Sequence, residues 1–144
     1  TARKPSKTIL QYANYMTIRI VTDSACDLPQ YLVDQYKISI VPLSVRFGEH
    51  EFIDRQDLTT EQFWKRCDSS PVLPETAAPS PGQFEAEFRK LATEGATGIV
   101  MISLSGVLSA TMQSAELAAK SLAGDISVRV VDSRSASMAT VHMD

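Results

Sequence analysis

A chain of 144 residues, 44% hydrophobic and 22% charged, has the composition of one ordinary globular domain and can bury about two-thirds of its unfolded surface without a disulfide framework or structural metal. Fourteen basic against seventeen acidic side chains give a formal net charge of −3, without the basic stripe that a phosphate backbone demands, so no nucleic-acid partner is expected. The longest apolar runs fall short of the roughly 20 residues of a membrane helix and nothing resembles a signal peptide's apolar core, so a cytoplasmic protein with no membrane span is expected.

Residues 1–15, TARKPSKTILQYANY, are basic and lack a clear apolar face, and they read as a disordered leader or extension. Met16 stands just before a β-branched strand, TIRIVT (17–22). A polar loop, DSACD, leads into LPQYLVDQYK, a helix with Pro29 in its first turn. ISIVPLSVRF (38–47) reads as a second strand, in which Pro42 argues for an edge position or a bulge. GEHEFIDRQD (48–57) reads as a loop or short hairpin, and Thr59 with Gln62 forms a capping box for a helix over about 60–68. A Pro-rich connection carries the TAAPS turn. Ser80 and Gln83 form a second capping box with Pro81 at the first helical position, and Phe84, Phe88 and Leu91 recur at helical spacing up to Gly95. GIVMISL (98–104) is a continuous apolar strand of the kind covered on both faces. After SGVLSAT, Leu108, Met112, Ala115, Ala119 and Leu122 line one face of a helix to Ala123, and ISVRVVD (126–132) is a further strand.

The order β-α-β-α-α-β-α-β predicts an α/β fold, a mostly parallel sheet with helices on its faces and right-handed crossovers. Ligands of such sheets bind beyond the carboxyl ends of the strands. The loops that matter are therefore DSACD, GEHEFIDRQD, SLSGVLSAT and DSRSAS, with TAAPS if it folds over them.

These loops are rich in hydroxyls, among them Ser24, Thr76, Ser105, Ser109 and Thr111, and almost free of histidine. His50 and His142 are the only imidazoles, one in a surface loop and one in the tail, and no GxSxG elbow is present, so a serine hydrolase lacks a placed base. The aspartates 23, 27, 54, 57 and 132 match no metal loop, and Asp132 is equally explained by loop hydrogen bonds. Cys26 and Cys67 read as reduced thiols, and Trp64 with Phe63 reads as core. Gly106 lies in a Ser-rich loop feeding a helix N-terminus, where hydroxyls and backbone amides can hold a small anion such as a carboxylate. Ser105 or Ser109 can equally serve as a plain helix cap.

Five ordered segments, IVTDSACDLP (20–29), ISIVPLSVRFGEHEFIDRQDLTTEQFW (38–64), PETAAPSPGQF (74–84), ISLSGVLSATMQSA (102–115) and VVDSRSAS (130–137), resemble the amino-terminal domain of the DegV family of bacterial fatty-acid-binding proteins. The resemblance implies a DegV-like α/β domain over 16–138, a divergent tail over 139–144 and no second domain. It implies a non-enzymatic lipid-binding role without metal or cofactor. A long-chain fatty acid would be held by its carboxylate and presented to an ATP-dependent fatty acid kinase subunit for acyl phosphate formation. By motif, Thr76 and Ser109 stand where the family binds the carboxylate, and Ser24, Ser105, Gly106, Ala110 and Thr111 would line the pocket. Two family positions differ: Ala77-Ala78 replaces Ser-Gln, and Ala110 replaces Gly. The alternative is a truncated, non-binding domain that works through protein–protein contact or as a homo-oligomer, since a missing partner domain would leave an apolar patch.

Overall fold

The structure, a computed structural model, describes residues 17–137; the expected leader and the divergent tail lie outside them. Strand β1 (Ile18–Asp23) ends in a 3₁₀ turn (Ser24–Cys26), followed by α1 (Gln30–Tyr36) and β2 (Ser39–Val41). Next come β3 (Ser44–Phe47), β4 (His50–Ile53), α2 (Thr60–Ser69) and β5 (Glu75–Ala77). The chain then runs through α3 (Pro81–Thr93), β6 (Gly98–Ser103), α4 (Thr111–Ser121) and β7 (Ser127–Asp132). Four strands form a parallel sheet in the order β2-β1-β6-β7, the expected α/β architecture.

One face of that sheet carries the main core. Phe84, Phe88 and Leu91, all 0% exposed, descend one side of α3, and Ala115, Ala118 and Leu122 descend α4 onto Val21, Ile99 and Met101. Each large apolar side chain buried there contributes about 1.5–3 kcal/mol. Helix α3 starts where its sequence says: Ser80 Oγ accepts from Gln83 N–H, Gln83 Oε1 accepts from Ser80 N–H, and Pro81 needs no partner for a missing donor. Gly95, at φ 99°, supplies the left-handed turn after it. The opposite face is only partly covered. The cluster of Cys26, Leu28 and Val33 packs on Ile40 beside α1, whereas Ile18, Ile20 and Val131 are 50, 38 and 40% exposed.

The segment 38–47 is not one strand. Pro42 has no N–H to continue the ladder, and the Leu43 N–H turns to Ser24 Oγ at 3.0 Å, so the chain leaves the parallel sheet between β2 and β3. Beyond it lies an unexpected antiparallel sheet, β4-β3-β5. The predicted hairpin turns at Gly48, φ 61°, and the TAAPS turn begins as the edge strand β5. Val45, Phe47 and Leu58 form a small core there with half-buried Phe52 and Phe63.

Three local expectations are corrected. Trp64 is 61% exposed, because Phe63 takes the inward position on α2 and Trp64 meets only its edge, ring centroids 5.1 Å apart. Leu108 is 65% exposed and precedes α4, because the Ser105 carbonyl accepts from both Leu108 and Ser109 N–H in a turn that delays the helix to Thr111. Pro29 flanks α1 as its N-cap rather than lying within its first turn.

Candidate functional site at the carboxyl rim of the parallel sheet

Helices α3 and α4 both lead into the amino ends of strands, so their N-termini point toward the carboxyl rim of the sheet. They run side by side in the same direction: Ser121 Oγ, at the end of α4, donates to Glu85 Oε2, and Asp125, in the turn just after α4, meets Arg89 one turn further along α3. The segments entering them carry Thr76 and Ser109. Thr76 is exposed on β5, in register with Val45 of β3. Strand β5 reaches the rim through β3, since Ala77 pairs with Ser44, and the adjacent Leu43 is bonded to Ser24 at the end of β1. Ser109 is half-buried just before α4, where its Oγ accepts from Thr111 N–H at 3.2 Å and shares a hydrogen with Thr111 Oγ1 at 2.9 Å. No hydrogen bond among the described residues joins Thr76 to Ser109.

The remaining candidates fall on the loops around them. Ser24 is buried and its hydroxyl is spent on Leu43 N–H. Ser105 is buried, its N–H donates to the Ser135 carbonyl, and its Oγ lies 3.4 Å from Val107 N–H. Gly106 is exposed and its N–H donates to Asp132 Oδ1 at 3.3 Å. A Cβ on Gly106 would come within 3.2 Å of Met112 Sδ and 3.3 Å of Asp132 Oδ2, so this close approach favours glycine. Ala110 is the N-cap of α4 and brings no side-chain acceptor. Thr111 is fully buried. Among the described residues no acceptor meets the N–H groups of Met112 and Gln113, two amides at the positive end of α4. Val107 and Leu108, in the loop before α4, are 93 and 65% exposed.

Asp23 is the residue that sequence reasoning undervalued. It is 1% exposed, Oδ1 accepting from Ala25 N–H at 3.0 Å and Oδ2 from Leu104 N–H at 2.8 Å. Burial pushes its carboxyl above the ordinary range, against the pull of those amide donors. The local signal was an aspartate at a strand end two residues ahead of an available amide; its second partner is 81 residues away. Asp132 at the end of β7 does bond its loop, accepting from Arg134 N–H at 2.8 Å.

An open cleft of about 590 Å³ lies to one side, lined by Ser24, Asp27, Leu28, Asp54, Arg55 and Thr59 among others, and shares only Ser24 with the candidate set. Burial first, and then the nearby Asp54 charge, push the Asp27 carboxyl up, while Arg55 opposes them. Burial also raises the Cys26 thiol, which makes it a poor nucleophile. Cys67 is likewise a free thiol. His50 is exposed on β4, away from the rim. Among the described residues no group of three or more His, Cys, Asp or Glu side chains could hold a metal, and no helix is long and apolar enough to cross a membrane.

An open parallel sheet flanked by helices, with hydroxyls and helix-terminal amides along its carboxyl rim, defines an α/β domain. The chain belongs to the DegV family, whose profile, described as "Uncharacterised protein, DegV family", matches residues 17–143. It is 35% identical over 124 residues to a DegV domain-containing protein of Staphylococcus aureus, covering 85% of this chain and 43% of that relative. It is similar to the structure titled "Fatty Acid Binding of a DegV family Protein from Thermus thermophilus", with 40% identity and a TM-score of 0.74 over 85% of this chain and 43% of that one. It is also similar to the Streptococcus pneumoniae Fatty Acid Kinase (Fak) B3 protein loaded with linoleic acid, with 27% identity and a TM-score of 0.69 over 85% of this chain and 43% of the other. The chain thus spans less than half the length of these relatives.

Proposed function

We propose that this domain binds a long-chain fatty acid by its carboxylate, as the head-group half of an acyl carrier spanning 16–138, and presents it to an ATP-dependent fatty acid kinase. The observation that carries the reading is the start of α4, where the amides of Met112 and Gln113, beside the Ser109 hydroxyl, meet no acceptor among the described residues. An anion satisfies such amides and is favoured by the helix dipole. Thr76, on the neighbouring approach to the rim, supplies a second hydroxyl, and Ser24, Ser105, Gly106, Ala110 and Thr111 shape the surroundings. The exposed Val107 and Leu108 offer apolar surface to the first methylenes of a tail, each worth about 0.8 kcal/mol when buried. The fatty acids named for the Thermus and Streptococcus proteins support the same ligand class. The role is binding and presentation, and the chemistry belongs to the kinase.

The test is mass spectrometry of the purified chain for co-purifying long-chain acids, together with oleate titration of Thr76→Ala and Ser109→Ala. Each variant is expected to lose about tenfold or more in affinity, the worth of a hydrogen bond to a charged group. Absence of acid on the wild type, with no difference between variants, refutes the reading.

A second reading, a domain that acts through protein–protein contact or dimerisation, is favoured by one observation: the open sheet face bearing Ile18, Ile20 and Val131.

A further inference from the structure

Two carboxylates hold the loop between β6 and α4 without touching the proposed head-group position. Asp23, at the end of β1, receives the Leu104 N–H at 2.8 Å, and Asp132, at the end of β7, receives the Gly106 N–H at 3.3 Å. Strand β6 lies between β1 and β7, so the loop that follows it is gripped from both flanks. Each carboxylate also takes an amide of its own segment, Ala25 N–H for Asp23 and Arg134 N–H for Asp132, which fixes its orientation. Two backbone bonds, Ser105 N–H to Ser135 O at 2.9 Å and Ser133 N–H to Ser103 O at 3.1 Å, sew the same stretch to the chain after β7. From Gly106 the backbone has only four more residues before α4 begins at Thr111.

We propose that Asp23 and Asp132 are positioning residues that clamp this loop and so aim Ser109 and the first amides of α4 at the ligand's carboxylate. The proposal rests on the head-group reading above and adds the groups that make the site rigid. A carboxylate is suited to the task because it only accepts, and it bonds two amides at once with charge assistance. Asparagine at 23 keeps the shape and turns an NH₂ group toward one of that carboxylate's two amides, whereas at 132 a single oxygen, Oδ1, takes both amides, so alanine is the change that removes the acceptor.

The experiment compares Asp23→Asn and Asp132→Ala with the wild-type chain in affinity for oleate and for methyl oleate, with thermal unfolding measured alongside. The ester shares the tail and lacks the charge, so the acid-to-ester preference reads the head-group site, and a general loss of stability does not move it. The wild type should prefer the acid, and each variant should shrink that preference about tenfold while binding the ester within about twofold of wild type. Folded variants that retain the full preference overturn the clamp and leave the fatty acid reading standing. A wild type that fails to prefer the acid overturns both. Should buried Asp23→Asn fail to fold, half-buried Asp132→Ala decides the matter alone.

Discussion

At the scale of single residues, the buried Asp23 makes the fold pH-dependent in a direction opposite to that of a salt-bridged carboxylate. Burial holds its folded pKa above the ordinary 3.8, so just above that value the folded chain binds more protons than the unfolded one. Its contribution to stability is therefore best at low pH and is lost as pH rises through the folded pKa. Asp27 is shifted the same way, mainly by burial. Glu85, held down by its bonds to Arg89 and Ser121, acts in the other sense, losing stability as pH falls. Urea denaturation between about pH 4 and pH 7 should show a smaller decline toward neutrality in Asp23→Asn than in wild type; identical slopes would remove Asp23 as the cause. That a charged group is kept where it costs stability fits a residue retained for function. The hydroxyl candidates stand on the motifs that the resemblance marks. No motif marks the role of Asp23, since its decisive partner, Leu104, lies 81 residues away in the loop after β6, beyond any local window.

At the scale of elements, legibility followed the strength of the periodic signal. Helix α3 carries a capping box, a proline at its first position and three large residues on one face, and its bounds came out as read. Its core role is testable: Phe88→Ala should cost about 3–5 kcal/mol, since it empties a fully buried position, whereas Trp64→Ala on α2 should stay within about 0.5 kcal/mol. Chemical denaturation of both variants checks the contrast, and a large loss at Trp64 would place that ring in a contact it does not make here. Helix α2 misled because two adjacent aromatics gave no phase, and only one of them can face inward. The stripe of α4 was read one turn too early, because Leu108 fits the period while the Ser105 carbonyl closes a turn there.

For the whole molecule, the alternation of strands and helices was enough to give the parallel sheet, because each βα unit is local and its crossover has one favoured hand. The antiparallel sheet escaped because β5, three residues long, pairs with β3 across a helix and a loop. Short non-local pairings leave no periodic trace in the sequence. The open face of the parallel sheet carries its own prediction. Sedimentation velocity over a concentration series should show self-association that Ile20→Lys abolishes, because a charge there cannot be buried without a partner. A strict monomer at every concentration would set aside the second functional reading.

The backbone passes between the two sheets at Pro42–Leu43 and again at Ala78–Pro79. Each crossing holds a pyrrolidine ring, and the second of these rings is fully buried. With φ locked at both passages, the small sheet is tethered to the large one by two stiff straps, and under the proposed function the place of Thr76 relative to the rim would be largely set before a ligand arrives. On that reading little ordering would remain to be done on association, and more of the gross contact energy would survive as affinity.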